Sequence, residues 1–334
     1  MSIPRGRSQR RTGSLSLVNE NSLDQFYTNS DVVDMCLATL DMDSYSLAIE
    51  PSAGDGAFLK KIKIPKIGLD LEPKARGILE GDYLSAGRFA GALTRALSLR
   101  DKFGDEKILV VGNPPFGRNS SLAVKFFNYS AEYCDTIAFI VPKTFKKDSV
   151  QNRLNLHFHL VHELSLPPNS FRVAIAKPRT KFQVYYPGYD KQADLVYTEG
   201  PYDVPCVWQV WERRDAPREI IKSPTTHEDF KFLNVKIDND TKELKLDEQT
   251  KEPITDLTKA NFAVQRVGGK AGTVYKDFIG RSWKSHHLII GPDWVREIME
   301  TLKWDKDSDK YNTAGNPSIS KAELIKAYVK QKSS

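Results

Sequence analysis

At 334 residues the chain has room for two domains at roughly 150 residues each, and 40% hydrophobic against 28% charged residues is the make-up of a water-soluble globular protein. No apolar run approaches the ~18–20 residues that span a bilayer, and the basic start Met1–Arg11 lacks the apolar stretch of a secretory signal. Three scattered cysteines, Cys36, Cys134 and Cys206, exclude a disulfide framework and a cysteine-based zinc site, and fit a reducing, intracellular, soluble setting.

The formal charge of +6 is uneven, because residues 191–334 carry 24 basic and 23 acidic side chains. The excess lies in the first 190 residues, much of it in Arg5, Arg7, Arg10 and Arg11. Residues 1–20 therefore read as a flexible basic arm, either a solvated tail or a phosphate contact. A helix is predicted from Asn29 or Ser30, with Val32, Val33, Cys36, Leu37 and Leu40 on its apolar face. Apolar runs then predict strands at Ser46–Glu50, Lys66–Leu71, Ile108–Gly112, Thr136–Val141, Leu160–Leu166 and Lys181–Tyr186. Helices are predicted at Gly56–Ile62, Ala90–Leu99, Leu122–Tyr133 and Lys147–His157, with residues 86–105 as an insertion. Strands interleaved with helices in this way imply an α/β domain around a largely parallel sheet, over residues 21–189.

After Pro187 the rhythm breaks, with Pro201, Pro205, Pro217 and Pro224 among loops and short strands. Asp238-Asn239-Asp240 between Phe232–Lys236 and Glu243–Leu246 predicts a hairpin, Gly268-Gly269 a tight turn, and Asp293–Leu302 and Ser320–Lys330 two closing helices. Residues 190–334 read as a second, α+β region.

Four segments at predicted strand ends carry chemistry. Glu50-Pro51-Ser52-Ala53-Gly54-Asp55-Gly56 joins a strand to a helix, and its glycines let the backbone approach a ligand. No Lys-Ser/Thr pair follows, so it is not a phosphate loop, and the acid at the strand end suits a cation or an amine. Asp70, at the tip of the next strand, can accept hydrogen bonds from ribose hydroxyls. Gly81-Asp82-Tyr83 offers a carboxylate for an exocyclic amine beside an aromatic ring. The strongest segment is Gly112-Asn113-Pro114-Pro115-Phe116-Gly117. Two prolines after a buried strand forbid both helix and ladder pairing and stiffen the backbone, so that the Asn113 amide oxygen and the Pro114 carbonyl converge on one planar –NH2 group, with Phe116 to stack on its ring.

On these residues the chain resembles the class I S-adenosylmethionine-dependent amino-group DNA methyltransferases of N6-adenine type, with cofactor motifs first and target recognition last, over roughly residues 23–187. The resemblance implies a Rossmann-like fold with a mostly parallel seven-stranded sheet and helices on both faces. It implies S-adenosyl-L-methionine as cofactor, held by Tyr27, Thr28, Glu50, Gly54, Gly56, Asp70, Asp82 and Tyr83, with no metal. Asn113, Pro114 and Phe116 would act on the target base, with Pro115 and Phe171 beside it. The implied partner is nucleic acid, DNA ahead of RNA, in the manner of restriction-modification enzymes, and 190–334 would recognise the target. The same tetrad also serves RNA-base and protein-glutamine N-methyltransferases, and a nonenzymatic nucleic-acid-binding protein on a degenerate fold is a further alternative.

Outside these motifs, His157, His159, His162 and His286-His287 lack the carboxylate or cysteine partners of a metal site. Trp208 and Trp211, near Arg213 and Arg214, read as core residues, with a base-stacking surface as the other possibility. Arg266, Lys270 and the Gly268-Gly269 turn form a candidate groove-contacting loop.

Overall fold

The computed structural model describes residues 26–85, 107–178, 195–202, 204–238, 240–278, 282–304, 308–313 and 316–333, with 173–178 and 195–202 as backbone only. The expected arm 1–20, the insertion 86–105 with its helix Ala90–Leu99, and the strand Lys181–Tyr186 lie outside the described residues.

The first part of the chain runs β1 (Tyr27–Thr28), α1 (Ser30–Leu37), β2 (Tyr45–Glu50), β3 (Lys66–Asp70), β4 (Ile78–Glu80), β5 (Lys107–Gly112), α2 (Ser121–Ser130), β6 (Thr136–Pro142), the single turn α3 (Asp148–Gln151), β7 (Phe158–Ser165), β8 (Phe171–Pro178), β9 (Leu195–Tyr202) and β10 (Cys206–Arg213). Seven of these strands form one sheet in the order β4-β3-β2-β5-β6-β10-β7. Pairing is parallel from β4 through β6, while β10 runs antiparallel between β6 and β7. This is the largely parallel α/β sheet that the strand–helix alternation predicts, with the seven strands that the resemblance implies.

Burial on both faces explains the composition of the strands. All seven residues of β6 are buried. Ala48, Leu109, Val111, Ala138 and Ile140 face Val32, Val33 and Cys36 of α1, and the alternate residues Ile49, Val110, Ile137 and Phe139 face Ala123, Val124 and Phe127 of α2. The period of two sends neighbouring side chains to opposite cores. Asn29 holds the N-cap position of α1, but its side chain donates to the Asn169 carbonyl at 2.8 Å instead of capping the helix.

Three expectations change. Gly56–Ile62 forms turns rather than a helix, because the Glu50 carboxylate takes the Leu59 N–H at 3.1 Å, a donor that an α-helix would spend on residue 55. Lys147–His157 is helical only over α3. Beyond it the Asn152 side chain bonds both the N–H and the carbonyl of Ile221, and Arg153 and Leu154 turn back three residues. The change of rhythm after Pro187 does not end the main sheet, since β10 enters it at residues 206–213. Trp208 and Trp211 are core residues, 0% and 2% exposed. Their indole N–H groups reach Thr39 Oγ1 at 2.8 Å and Gln209 Oε1 at 3.1 Å, which makes their burial possible.

A second, antiparallel sheet in the order β11-β14-β12-β13 consists of β11 (Lys231–Phe232), β12 (Phe262–Gln265), β13 (Val274–Tyr275) and β14 (His286–Ile290). With α4 (Asp293–Glu300) and α5 (Lys321–Lys332) it encloses Phe262, Ile289, Met299, Leu324 and Tyr328. The expected hairpin around residue 239 is reduced to the bridge Ile237–Leu244. A capping box of Ser320 and Glu323 starts α5. Glu323 also pairs with Lys147 at 3.1 Å, and Lys326 with Asp148, so α5 is fastened to the turn after β6.

Candidate functional site

In a doubly wound sheet, ligands bind outside the carboxyl ends of the strands where strand order reverses. Here the chain runs outward from β2 through β3 to β4 and then returns to β5 beside β2. Glu50, Asp70 and Gly112 end β2, β3 and β5, so three of the four candidate segments open into that crevice.

Short hydrogen bonds lace these loops together. Asp70 accepts the N–H of Gly54 at 2.7 Å through Oδ2 and of Glu72 at 2.8 Å through Oδ1. The Asp70 carbonyl takes the Gly81 N–H at 2.9 Å, and the Gly54 carbonyl takes the Lys74 N–H at 2.9 Å. Gly54 (φ +49) and Gly56 (φ +77) use backbone that other residues rarely adopt, and a Cβ on Gly54 would stand 3.3 Å from the Tyr27 ring. The result is a glycine cradle beside a carboxylate, with the Tyr27 ring against Gly54 and the Ala75, Ile78 and Lys60 side chains near Gly56.

Glu50 is 2% exposed and, among the described residues, makes no ion pair with a cation. Desolvation raises its carboxyl well above the ordinary range; the bond from Leu59 opposes this, and the nearby Asp55 and Asp70 add to it. Asp55 is paired with Arg172 at 3.1 Å. The folded state thus holds Glu50 protonated where the unfolded chain would ionise it. The associated stability is complete below about pH 4.5 and is lost as pH rises toward the folded value, by up to about 1.4 kcal/mol per pH unit. Glu50→Gln, which keeps the acceptor for Leu59, is expected to melt progressively higher than wild type as pH rises above about 4.5. Thermal melts across that range check this, and a gap that does not widen with pH contradicts it.

Asn113 follows Gly112, whose φ of +145° allows the chain to leave β5 past Glu50; a Cβ there would meet Glu50 Cγ at 3.1 Å. Ser52 Oγ donates to the Asn113 carbonyl at 3.0 Å and ties the tetrad to the glycine segment. The Asn113 amide nitrogen donates to the Phe26 carbonyl at 3.1 Å and to Thr28 Oγ1 at 3.3 Å. Because a carbonyl only accepts, this fixes the orientation of the amide. Its oxygen is left buried, without a hydrogen-bond partner among the described residues. Such an orphan acceptor costs about 1–3 kcal/mol, and it calls for an N–H donor that the described residues do not supply. The Pro114 carbonyl likewise enters no backbone hydrogen bond among the described residues. Gly117 (φ +65) turns the loop into α2, and the Phe116 carbonyl takes the N–H groups of Leu122 and Ala123 at 3.2 Å.

The remaining candidates divide. Tyr27 and Thr28 join the site because β1 pairs with β8, Thr28 opposite Phe171. Phe26 lies between Phe116 and Phe171, with ring centroids 6.2 and 6.5 Å away. Phe171 is 1% exposed, enclosed in the core on the α1 face. Pro114 is buried and Pro115 half-buried within the loop. Asp82 is exposed and accepts the Leu84 N–H at 2.9 Å. Tyr83 does not face the crevice. It is 1% exposed beneath α2, bonded to Ser130 Oγ at 2.7 Å and to Tyr133, because its hydroxyl finds partners inside the core. Ser52, Phe26 and Arg172 are site residues that the motifs do not single out. Ser52 lies inside the glycine segment itself, whereas only the β1–β8 pairing brings in the other two.

Among the described residues no group of three His, Cys, Asp or Glu side chains could hold a metal ion, and no helix is long and apolar enough to cross a membrane.

No family model matches the chain, and no curated protein matches it in sequence. Among solved structures, it is similar to a protein assigned as an RNA methyltransferase from Pyrococcus horikoshii, at 14% identity over 57% of this chain and 88% of that one, with a TM-score of 0.31. It is also similar to a protein assigned as the modification subunit of a type I restriction enzyme from Vibrio vulnificus, at 14% identity and a TM-score of 0.35. That alignment covers 68% of this chain but only half of the other. A third, precorrin 8w decarboxylase from Methanobacterium thermoautotrophicum, is 10% identical over 55% of this chain and 89% of that one, with a TM-score of 0.28.

Proposed function

We propose that the chain is an S-adenosylmethionine-dependent N-methyltransferase acting on the exocyclic N6 amine of adenine in DNA. The catalytic unit comprises residues 21–189 and, through β10, continues to Arg213; the rest of 190–334 recognises the target. The observation that carries this reading is the buried, unpartnered Asn113 oxygen at the switch point of the sheet.

The residues fit the cofactor. The Gly54–Gly56 cradle admits a close-lying chain, and the Asp70 carboxylate at its edge retains lone pairs for ribose hydroxyls. Asp70 and Asp82 give the crevice carboxylates with no paired cation among the described residues, which suits a ligand with an ammonium and a sulfonium, while Glu50 is held neutral and Asp55 is offset by Arg172. When bound, S-adenosylmethionine supplies an activated methyl group.

Asn113 and its loop act on the acceptor. The Asn113 oxygen and the Pro114 carbonyl accept the two N–H groups of a planar amine, a poor nucleophile because its lone pair is delocalised. These bonds favour a more pyramidal nitrogen and stabilise the positive charge that develops on it. Ser52, Phe26 and Thr28 keep the oxygen aimed before the amine arrives, so little reorganisation is needed at the moment of reaction. An adenine inside duplex DNA is out of reach and has to be flipped out, at a few kcal/mol. Half-buried Phe26 is the aromatic ring at the loop, packed on Phe116 and Phe171. Both of these are buried in the core on the α1 face, so Phe116 would have to emerge to stack on a base.

Calorimetric titration with S-adenosylmethionine tests the cofactor half of this reading. Wild type is expected to bind, and Asp70→Ala to bind about ten- to hundredfold more weakly, because charge-assisted hydrogen bonds are removed. A wild-type protein that binds no S-adenosylmethionine would return the chain to the nonenzymatic alternative.

A further inference from the structure

Away from the crevice, the second sheet carries a cleft of about 410 Å³ against β14. Its lining includes Lys242, Arg266, Lys284 and Lys321, two histidines and the aromatic rings of Trp283 and Phe232, and it contains no carboxylate among the described residues. A smaller hollow of about 220 Å³ shares Phe232, Asn234 and Lys321 with it and extends the groove past the start of α5.

Several features show that this charge is not arranged for the stability of the fold. Lys321 is the first residue of α5, where the helix dipole disfavours a cation. It is exposed and lies over the Phe232 ring at 5.0 Å. Arg266 is exposed as well. The pair Lys284–Glu243 is open to solvent on both sides, so it holds weakly and exchanges readily for another anion. His287, under the groove, is held neutral with its pKa lowered to about 4, first by burial and then by the charges of Arg266, Lys321 and His286. The buried Nε2 of His286, also in the lining, has no hydrogen-bond partner among the described residues.

The groove is also tied to the tetrad loop. Glu323, two residues after Lys321, pairs with Lys147, and Thr144 in the same turn shares a 2.6 Å hydrogen bond with Ser120, where the tetrad loop enters α2. A polymer gripped on the second sheet would be held at a fixed setting relative to Asn113.

We propose that this groove binds the phosphodiester backbone of a nucleic acid, with Arg266 and Lys321 as the main phosphate contacts and Lys242 and Lys284 beside them. The assignment rests on the proposed function for the class of partner and adds the place where that partner is held. Cations interleaved with aromatic rings are the surface that a nucleic-acid strand requires.

The test is fluorescence anisotropy of the whole protein with labelled duplex DNA, single-stranded DNA and RNA at several salt concentrations. Wild type is compared with the double variant Arg266→Gln, Lys321→Gln, and S-adenosylmethionine affinity serves as the control for the crevice. The variant is expected to bind at least about tenfold more weakly, with a salt slope shallower by about two units, since each phosphate that a side chain neutralises adds near 0.9 to the slope. Cofactor affinity should be unchanged. Wild-type affinity and slope in the variant overturn the groove while leaving the Asn113 reading intact. Tighter binding of RNA than of either DNA keeps the groove and overturns DNA as the acceptor. A wild-type protein that binds no nucleic acid yet methylates a protein amide overturns both.

Discussion

Asn113→Ala is expected to keep S-adenosylmethionine affinity within about threefold of wild type and to lower methyl transfer by about 10²–10³-fold, the range for removing one aimed acceptor or donor at developing charge. The two effects separate because the Asn113 side chain reaches the Phe26 carbonyl and Thr28 but none of the atoms that shape the glycine cradle. The cradle depends instead on Asp70, Gly54 and Gly56. Single-turnover transfer and equilibrium binding on the same preparation measure both. An Asn113→Ala enzyme with near-wild-type turnover would show that the orphan oxygen has no part in the chemistry, whereas loss of cofactor binding would assign it to the cradle.

Trp208→Ala is expected to destabilise the protein by about 3–5 kcal/mol, the usual cost of truncating a buried aromatic to alanine. Trp208 is fully buried in β10 and stacks on Phe58 at 5.9 Å with the planes 12° apart. It also donates to Thr39 just after α1, so one side chain joins a sheet strand, a helix end and the turns that follow Gly56. Phe58 follows Gly56 by two residues, so if the glycine turn binds S-adenosylmethionine as proposed, weaker binding should accompany the fall in stability. Trp208→Phe keeps most of the packing and gives up the hydrogen bond, and should cost about 1–2 kcal/mol. Urea unfolding of the three proteins orders them, and an alanine variant as stable as wild type would contradict the core assignment.

Much of the crevice is legible in the sequence because its determinants are local. β2, β3, β5 and β6 are short apolar runs between turn signals, and each strand-end motif follows its strand directly, so periodicity and punctuation suffice. Asn113-Pro114-Pro115 declares its own rigidity. What escapes detection depends on distant partners. β10 lies between β6 and β7, and its run Val207-Trp208-Gln209-Val210-Trp211 is buried throughout, a pattern that does not tell strand from helix. Gln209 survives inside the sheet only because Glu163 and Trp211 satisfy it. The helix expected at Gly56–Ile62 gives way to the Glu50 carboxylate, which belongs to the preceding strand, and Tyr83 turns inward because Ser130 and Tyr133 await it. The strands of the second sheet run only two to five residues, too short for alternation to show.

The most direct measurement supplies methyl-labelled S-adenosylmethionine with DNA, RNA and protein, digests each product and identifies the labelled unit. The account predicts label on N6-methyldeoxyadenosine from wild type and its near absence from Asn113→Ala. Label on a different acceptor atom, or transfer that ignores the substitution, would contradict it.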